Sequence, residues 1–376
     1  MSRQKFSKET QVRGIVLCLA IALYGCNSVE IDNTVTDPEN NGSHVPLNVK
    51  MDIGKGAVVS KSVFGEVGKE AGKLGAVGVL VATTNDASEF EAYTTETVDS
   101  YRQYSFNETA GDITWDATSP IYLNNNEGKV YAWAPVEGTD ALSATPGIAA
   151  DKLTAAGVVI GASQTFDAGS RLDCSQTDYL YATEAAASTS QETVSKAAYD
   201  ANLFMHHALA KISFKVMKAE NNPAPDKNDY VKKIELTSKA GRFLTCSAGT
   251  MKLTDGTLEG TLAVASLTLS AVAGKAAQAV AYAENYDAVT PQAYGLVAPL
   301  ASAEKDLSVK VTLGTNDADT GRDRSYQTKT DGEATFQWEK GKEYIYTISI
   351  SDVALEIVSV QIVDFATGGM TDLPVE

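Results

Sequence analysis

Short runs of β-branched and aromatic residues recur along the whole chain, and almost none of it carries the spacing of a long amphipathic helix. Val77–Thr83, Val130–Ala134, Ala208–Met217, Lys233–Thr237, Leu307–Leu313, Tyr344–Ile350 and Leu355–Phe365 each read as a strand, with Asn, Asp and Gly between them. Asp255-Gly256 and Asp331-Gly332 are hairpin dipeptides, because glycine takes positive φ without steric cost. An Ala-rich segment, Ala185–Tyr199, is the one predicted helix. The pattern predicts an all-β, mostly antiparallel fold built as two β-sandwiches, with a seam near residue 200.

The clearest alternation lies at the start of the folded part. Val45, Leu47, Val49, Met51 and Ile53 fall on one face and Pro46, Asn48, Lys50 and Asp52 on the other, as in a half-buried strand. Residues 26–44 before it are polar and acidic, too poor in apolar side chains to offset the entropy of ordering, and read as a flexible tether. A Gly- and Lys-rich stretch follows it.

Residues 1–25 have the layout of an export signal. Arg3, Lys5, Lys8 and Arg13 precede an uncharged apolar run, Gly14–Leu23, which ends at Cys26. The run is about half the roughly twenty residues that a membrane-spanning helix needs. Leu23, Gly25 and Cys26 resemble the lipobox of bacterial lipoproteins, which implies lipidation of Cys26, a first mature residue at that cysteine, and attachment to the outer membrane.

The leader takes four of the 31 basic and one of the 48 acidic residues, leaving 27 against 47, a net charge of −20. Nucleic-acid affinity rests on Lys and Arg neutralising phosphates, so nucleic acid is set aside as a partner. With Cys18 removed and Cys26 acylated, Cys174 and Cys246 are the thiols of the folded part. An oxidising location permits a disulfide between them; two buried thiols are the other possibility.

Little in the chain invites catalysis. The histidines are His44, His206 and His207, and the adjacent pair would point to opposite faces of a strand. His207 precedes an apolar run and reads as a structural histidine. Asp317, Asp319 and Asp323 faintly resemble a calcium loop but lack its glycine and glutamate spacing. The aromatics Tyr101, Tyr104, Phe106, Trp115, Tyr122, Tyr131 and Trp133 suit core packing, with a sugar platform as the alternative. No enzyme, metal or cofactor is expected.

Several segments together resemble the fimbrillin family, the subunits of type V pili: the lipobox at Cys26, VYAWAP at 130–135, DYLYA at 178–182, HALAKISFKV at 207–216 and WEKGKEYIYTISI at 338–350. The resemblance implies two tandem transthyretin-like domains, placed at 45–200 and 201–376. It also implies lipoprotein export, proteolytic removal of the N-terminal segment at the cell surface, and polymerisation with other pilus subunits by strand exchange. On that basis Val45, Leu47, Val49, Met51 and Ile53 form the removable strand, within residues 45–61. Lys55 and Lys61 are candidate sites for a trypsin-like surface protease. The C-terminal donor strand, residues 355–365, has Ile357, Val363 and Phe365 on one face and Val358, Val360 and Ile362 on the other. The expected role is a pilus subunit contributing to adhesion to a host or bacterial ligand. The second reading is a surface glycan-binding lipoprotein that does not polymerise, resting on Trp115, Tyr131 and Trp133.

Overall fold

A computed structural model describes residues 44–53, 67–68, 73–94, 97–109, 112–169, 174–183, 191–220, 229–260, 262–278, 282–285, 288–304, 307–318, 324–328, 336–351 and 354–365. Cys26, Lys55, Lys61, Asp319, Asp323 and the Asp331-Gly332 dipeptide lie outside the described residues. Within them the chain is all-β, with one short 3₁₀ turn at Thr97–Ser100. No helix among them is long and apolar enough to cross a membrane.

Ala76–Thr84 and Gly128–Ala134 organise the fold. They pair antiparallel, and each is buried along nearly its whole length. Their sequences run apolar without alternation because both faces are covered. Val77, Val79, Val81, Val130, Ala132 and Ala134 point into one hydrophobic cluster. Leu80, Ala82, Tyr131 and Trp133 point into a second, larger one. The two strands are thus a wall between two cores. Gly78 lies on this wall, where a Cβ would meet the Trp133 ring at 2.2 Å, so only a glycine lets the indole lie flat against the strand.

Around the first core the sheet closes on itself. From Ala76–Thr84 it runs through Tyr101–Thr109, Asp112–Asp116, Asn48–Ile53, Asp200–His207 and Leu180–Ala182 to Gly128–Ala134, which pairs back to Ala76–Thr84. Several sheets line the second core, among them the Lys152–Ile160 and Phe243–Lys252 pair, through Leu153, Val158 and Met251, and two further ones. One has Tyr230–Ser238 flanked by Ser266–Ala271 and Leu307–Gly314. The other runs Ala293–Val297, Ala210–Lys218, Lys342–Ile350, Leu355–Asp364.

Most pairing is antiparallel, as expected; parallel pairs join Asn48–Ile53 to Asp200–Met205, Lys211–Lys218 to Glu343–Ile350, and Ser163–Phe166 to Thr268–Ala271. Strand pairing crosses the seam expected near residue 200. Lys152–Ile160 pairs with Phe243–Lys252, and Ser163–Phe166 with Ser266–Ala271. The described residues form one compact unit.

The Asp255-Gly256 turn forms as predicted: Gly256 has φ +71° and links paired Met251 and Leu258. The predicted Ala185–Tyr199 helix does not hold over its described part. Residues 191–199 contain the strand Thr193–Val194, which pairs with Gly128–Lys129, and a turn closed by the Ser195–Ala198 backbone bonds. Gln191 donates its side-chain amide to the carbonyls of Val130 and Thr183, so sheet contacts here outweigh the helix propensity of alanine.

Candidate functional site

The N-terminal strand sits inside the closed sheet, and its two edges are held very unequally. Along one edge Asn48–Ile53 pairs in parallel with Asp200–Met205 through six successive residues. Along the other, its ladder to Asp112–Asp116 consists of one pair, Val49 with Trp115. The alternation read from the sequence is the alternation of burial: Leu47, Val49, Met51 and Ile53 are 3, 1, 9 and 3% exposed, whereas Lys50 is open to solvent. Each such side chain contributes roughly 1.5–3 kcal/mol on burial, so the strand supplies much of the first core.

Val45 departs from this register. Pro46 has no N–H to give a ladder, and Val45–Pro46 forms a separate short pair with Tyr122–Leu123. Bonding resumes at Leu47, whose N–H donates to Ile121 O at 2.8 Å, and Asn48 N–H donates to Tyr199 O at 2.9 Å. Beneath them the Tyr104 hydroxyl donates to Leu47 O at 3.4 Å and accepts from Ile121 N–H at 3.2 Å. Burial pushes the Tyr104 phenol up to about 12. Trp115, opposite Val49, has a buried indole N–H with no acceptor among the described residues.

The C-terminal strand belongs to the other core. Leu355–Asp364 lies at the edge of its four-stranded sheet, antiparallel to Lys342–Ile350. A bulge lies between the pairs Thr347↔Ser359 and Ile348↔Ile357, leaving Val358 as the extra residue. Strict alternation puts Ile357 and Val360 on opposite faces; the bulge reverses the phase, and both pack against the second core. Val358 and Ile362 are 38 and 42% exposed, and Val363 is half-buried. Beyond the strand, Phe365 N–H donates to Gly341 O, and its ring lies 4.2 Å from that of His207. Within one chain, then, the strands expected to be removable and donor, Asn48–Ile53 and Leu355–Asp364, occupy different cores and are not brought together.

The remaining candidates are structural. His207 Nδ1 meets Asp178 Oδ2 at 2.8 Å; both residues are buried, under Phe365. Sequence reading missed this pair, although Asp178 opens the DYLYA segment. It also missed Tyr104, whose partners lie 57 and 17 residues away and leave no local signal. Cys174 and Cys246 are buried thiols, not a disulfide: one donates to Gln176 O at 3.6 Å, the other to Val158 O at 3.2 Å. Trp115, Tyr131 and Trp133 are 4, 2 and 0% exposed. A sugar platform needs open aromatic faces, so the glycan-binding reading loses its basis.

A family model described as fimbrillin-like matches residues 71–364. The chain belongs to the fimbrillin-like family. Membership carries a structural, non-enzymatic role at the cell surface, in fimbriae and cell adhesion, in association with other subunits. Among solved structures, a fimbrial protein from Bacteroides vulgatus is 15% identical, with a TM-score of 0.50 over 85% of this chain and 99% of that one. A proposed cell adhesion protein from Bacteroides uniformis is 16% identical, with a TM-score of 0.49 over 87% and 100% of the two chains. At such identity the likeness to the fimbrial protein concerns the fold. No curated protein matches.

Proposed function

We propose that this fimbrillin-like chain is a pilus subunit that reaches the outer membrane as a lipoprotein acylated on Cys26 and polymerises after proteolysis by donor-strand exchange. The observation that carries the reading is the position of Asn48–Ile53: three buried apolar residues, preceded by buried Leu47, in a closed sheet, with a single ladder pair along one edge among the described residues. Loss of this strand leaves an apolar groove and a row of unpaired backbone groups on Asp200–Met205. Such a groove is filled by another extended chain through β-augmentation.

The sequence around the strand suits that role. Cys26 and the polar tether stand before it; Lys55 and Lys61 follow it, where a trypsin-like surface protease would separate it from the body. The donor is Leu355–Phe365 of the next subunit, an apolar edge strand near the end of the chain. Adhesion to a host or bacterial ligand is then a property of the assembled fimbria.

Two measurements test this reading. N-terminal sequencing of the surface form should give a start at Gly56 or Ser62, whereas a start at Cys26 describes a permanently anchored protein. Deleting Leu355–Glu376 should abolish polymer formation after protease treatment, and unimpaired polymerisation of that variant would rule out the donor strand.

A further inference from the structure

The bulge in the C-terminal strand has a chemical consequence for any groove that strand enters. In the folded subunit the bulge places Leu355, Ile357, Val360 and Ile362 opposite Ile350, Ile348, Tyr346 and Tyr344, the core-facing residues of the neighbouring strand. The fit is incomplete: Leu355 is 2% exposed, but Ile362 is 42% exposed and the bulged Val358 38%. A regular strand of the same sequence has a different face. Val358, Val360 and Ile362 then fall in line at every second position, with Ser359 and Gln361 between them on the other side. The opposite face reads Leu355, Ile357, Ser359, Gln361, Val363, Phe365, so its apolar row is interrupted by two polar residues at the centre of the strand.

The groove under Asn48–Ile53 takes three apolar side chains from that strand, Val49, Met51 and Ile53, at every second position, with Lys50 outward. Read in the same direction, Val358, Val360 and Ile362 match them in spacing and in kind, with Ser359 and Gln361 at the positions of Lys50 and Asp52. We infer that the C-terminal strand changes face on assembly: it loses the bulge at Val358 and sets Val358, Val360 and Ile362 into the pockets of Val49, Met51 and Ile53 in a second copy of this chain.

The bulge thereby gives the strand two addresses. Held in its own subunit it shows a poorly fitting face and leaves two apolar residues in solvent; straightened in a neighbour it buries both. The exchange removes exposed apolar surface at Val358 and Ile362, which favours the neighbour over the subunit's own sheet. Removal of the bulge also restores the ladder that the extra residue interrupts.

This inference rests on the donor-strand reading, and the experiment separates the two. Intact chain is treated with trypsin and polymer growth is followed by light scattering for wild type, Val358→Thr, Ile362→Thr, Ile357→Thr and the 355–376 deletion. Val358→Thr and Ile362→Thr each put a hydroxyl into a pocket, and growth should slow about tenfold or more. Their uncleaved forms should melt with wild type, since both sites are part-exposed in the folded subunit. Ile357→Thr should lower the melting temperature and not slow growth. If the deletion blocks growth but Val358→Thr and Ile362→Thr grow at the wild-type rate, the face assignment is overturned and the donor strand stands. If the deletion variant still grows, or wild type forms no polymer, the donor-strand reading falls and the inference with it.

Discussion

The Tyr104 hydroxyl reaches the carbonyl of Leu47 at 3.4 Å and, through the same oxygen, accepts the N–H of Ile121 at 3.2 Å. One buried phenol thus ties the entry of the N-terminal strand to the segment that precedes Tyr122–Leu123. Tyr104→Phe keeps the ring but leaves the Ile121 N–H without its acceptor, a loss of roughly 1–3 kcal/mol for a buried group. The urea midpoint should fall accordingly, and amide exchange at Leu47 and Asn48 should quicken before that of the second core. A midpoint equal to wild type would show that the hydroxyl carries no load.

Alkaline pH should destabilise the fold through its buried tyrosines. Burial raises the phenols of Tyr104, Tyr131 and Tyr179 from 10 to about 12, and pushes Tyr346 up as well. Between those values an unfolded tyrosine has lost its proton while the folded one keeps it. Stability is therefore complete below about pH 10 and falls as pH rises toward 12. Tyrosinate absorbance at 295 nm should show a late component that appears together with loss of the β-sheet circular dichroism. If all the phenols titrate near 10 with the fold intact, the burial assignment is wrong.

The strands that alternate were legible, and so was the buried face of Leu47, Val49, Met51 and Ile53, though not the departure of Val45 from it, because period-two patterning reports one-sided burial directly. Ala76–Thr84 and Gly128–Ala134 were legible as strands, but not as a wall between two cores, since an apolar run carries no sign of what lies on each side. Pro46 announced a break that the alternation concealed. The bulge at Val358 was not legible: it depends on how Leu355–Asp364 registers against Lys342–Ile350, and no local residue demands it. Parallel pairing of Asn48–Ile53 with Asp200–Met205 was hidden for a similar reason, as the partners lie some 150 residues apart and share no turn.

Asp178→Ala should cost more than an ordinary surface substitution. Asp178 and His207 are both buried and 2.8 Å apart, so removing the carboxylate strands the imidazole in an apolar site. A loss of roughly 2–3 kcal/mol is expected, with Asp178→Asn milder because it retains an acceptor. Phe365 rests on the His207 ring, so hydrogen exchange across 355–365 should also rise. Equal urea midpoints for wild type and Asp178→Ala would dismiss the pair as a structural element.

Gly78→Ala tests the wall between the cores. The new methyl would meet the Trp133 ring at 2.2 Å, and the indole cannot simply move, because its N–H donates to Ser143 O at 2.9 Å. Overpacking of this kind costs roughly 1–3 kcal/mol, which outweighs the gain from replacing a strand glycine. Both cores meet at these two strands, so the transition should shift as one and remain cooperative. A stabilised Gly78→Ala variant would mean that Trp133 has room the structure does not show.

Two thiols remain as a chemical probe of the second core. Cys246 lies beside Ile160 across the sheet and donates to Val158 O; burial pushes its thiol up, so little thiolate is present near neutral pH. Cys174 is bridged to Phe166 and is equally enclosed. Iodoacetamide followed by peptide mass spectrometry should leave both residues unmodified in the folded chain and alkylate both in denaturant without prior reduction. Dithiothreitol should leave the urea midpoint where it was, because no cross-link between them constrains the unfolded chain. A midpoint that drops on reduction, or alkylation that needs reduction first, would establish the disulfide instead.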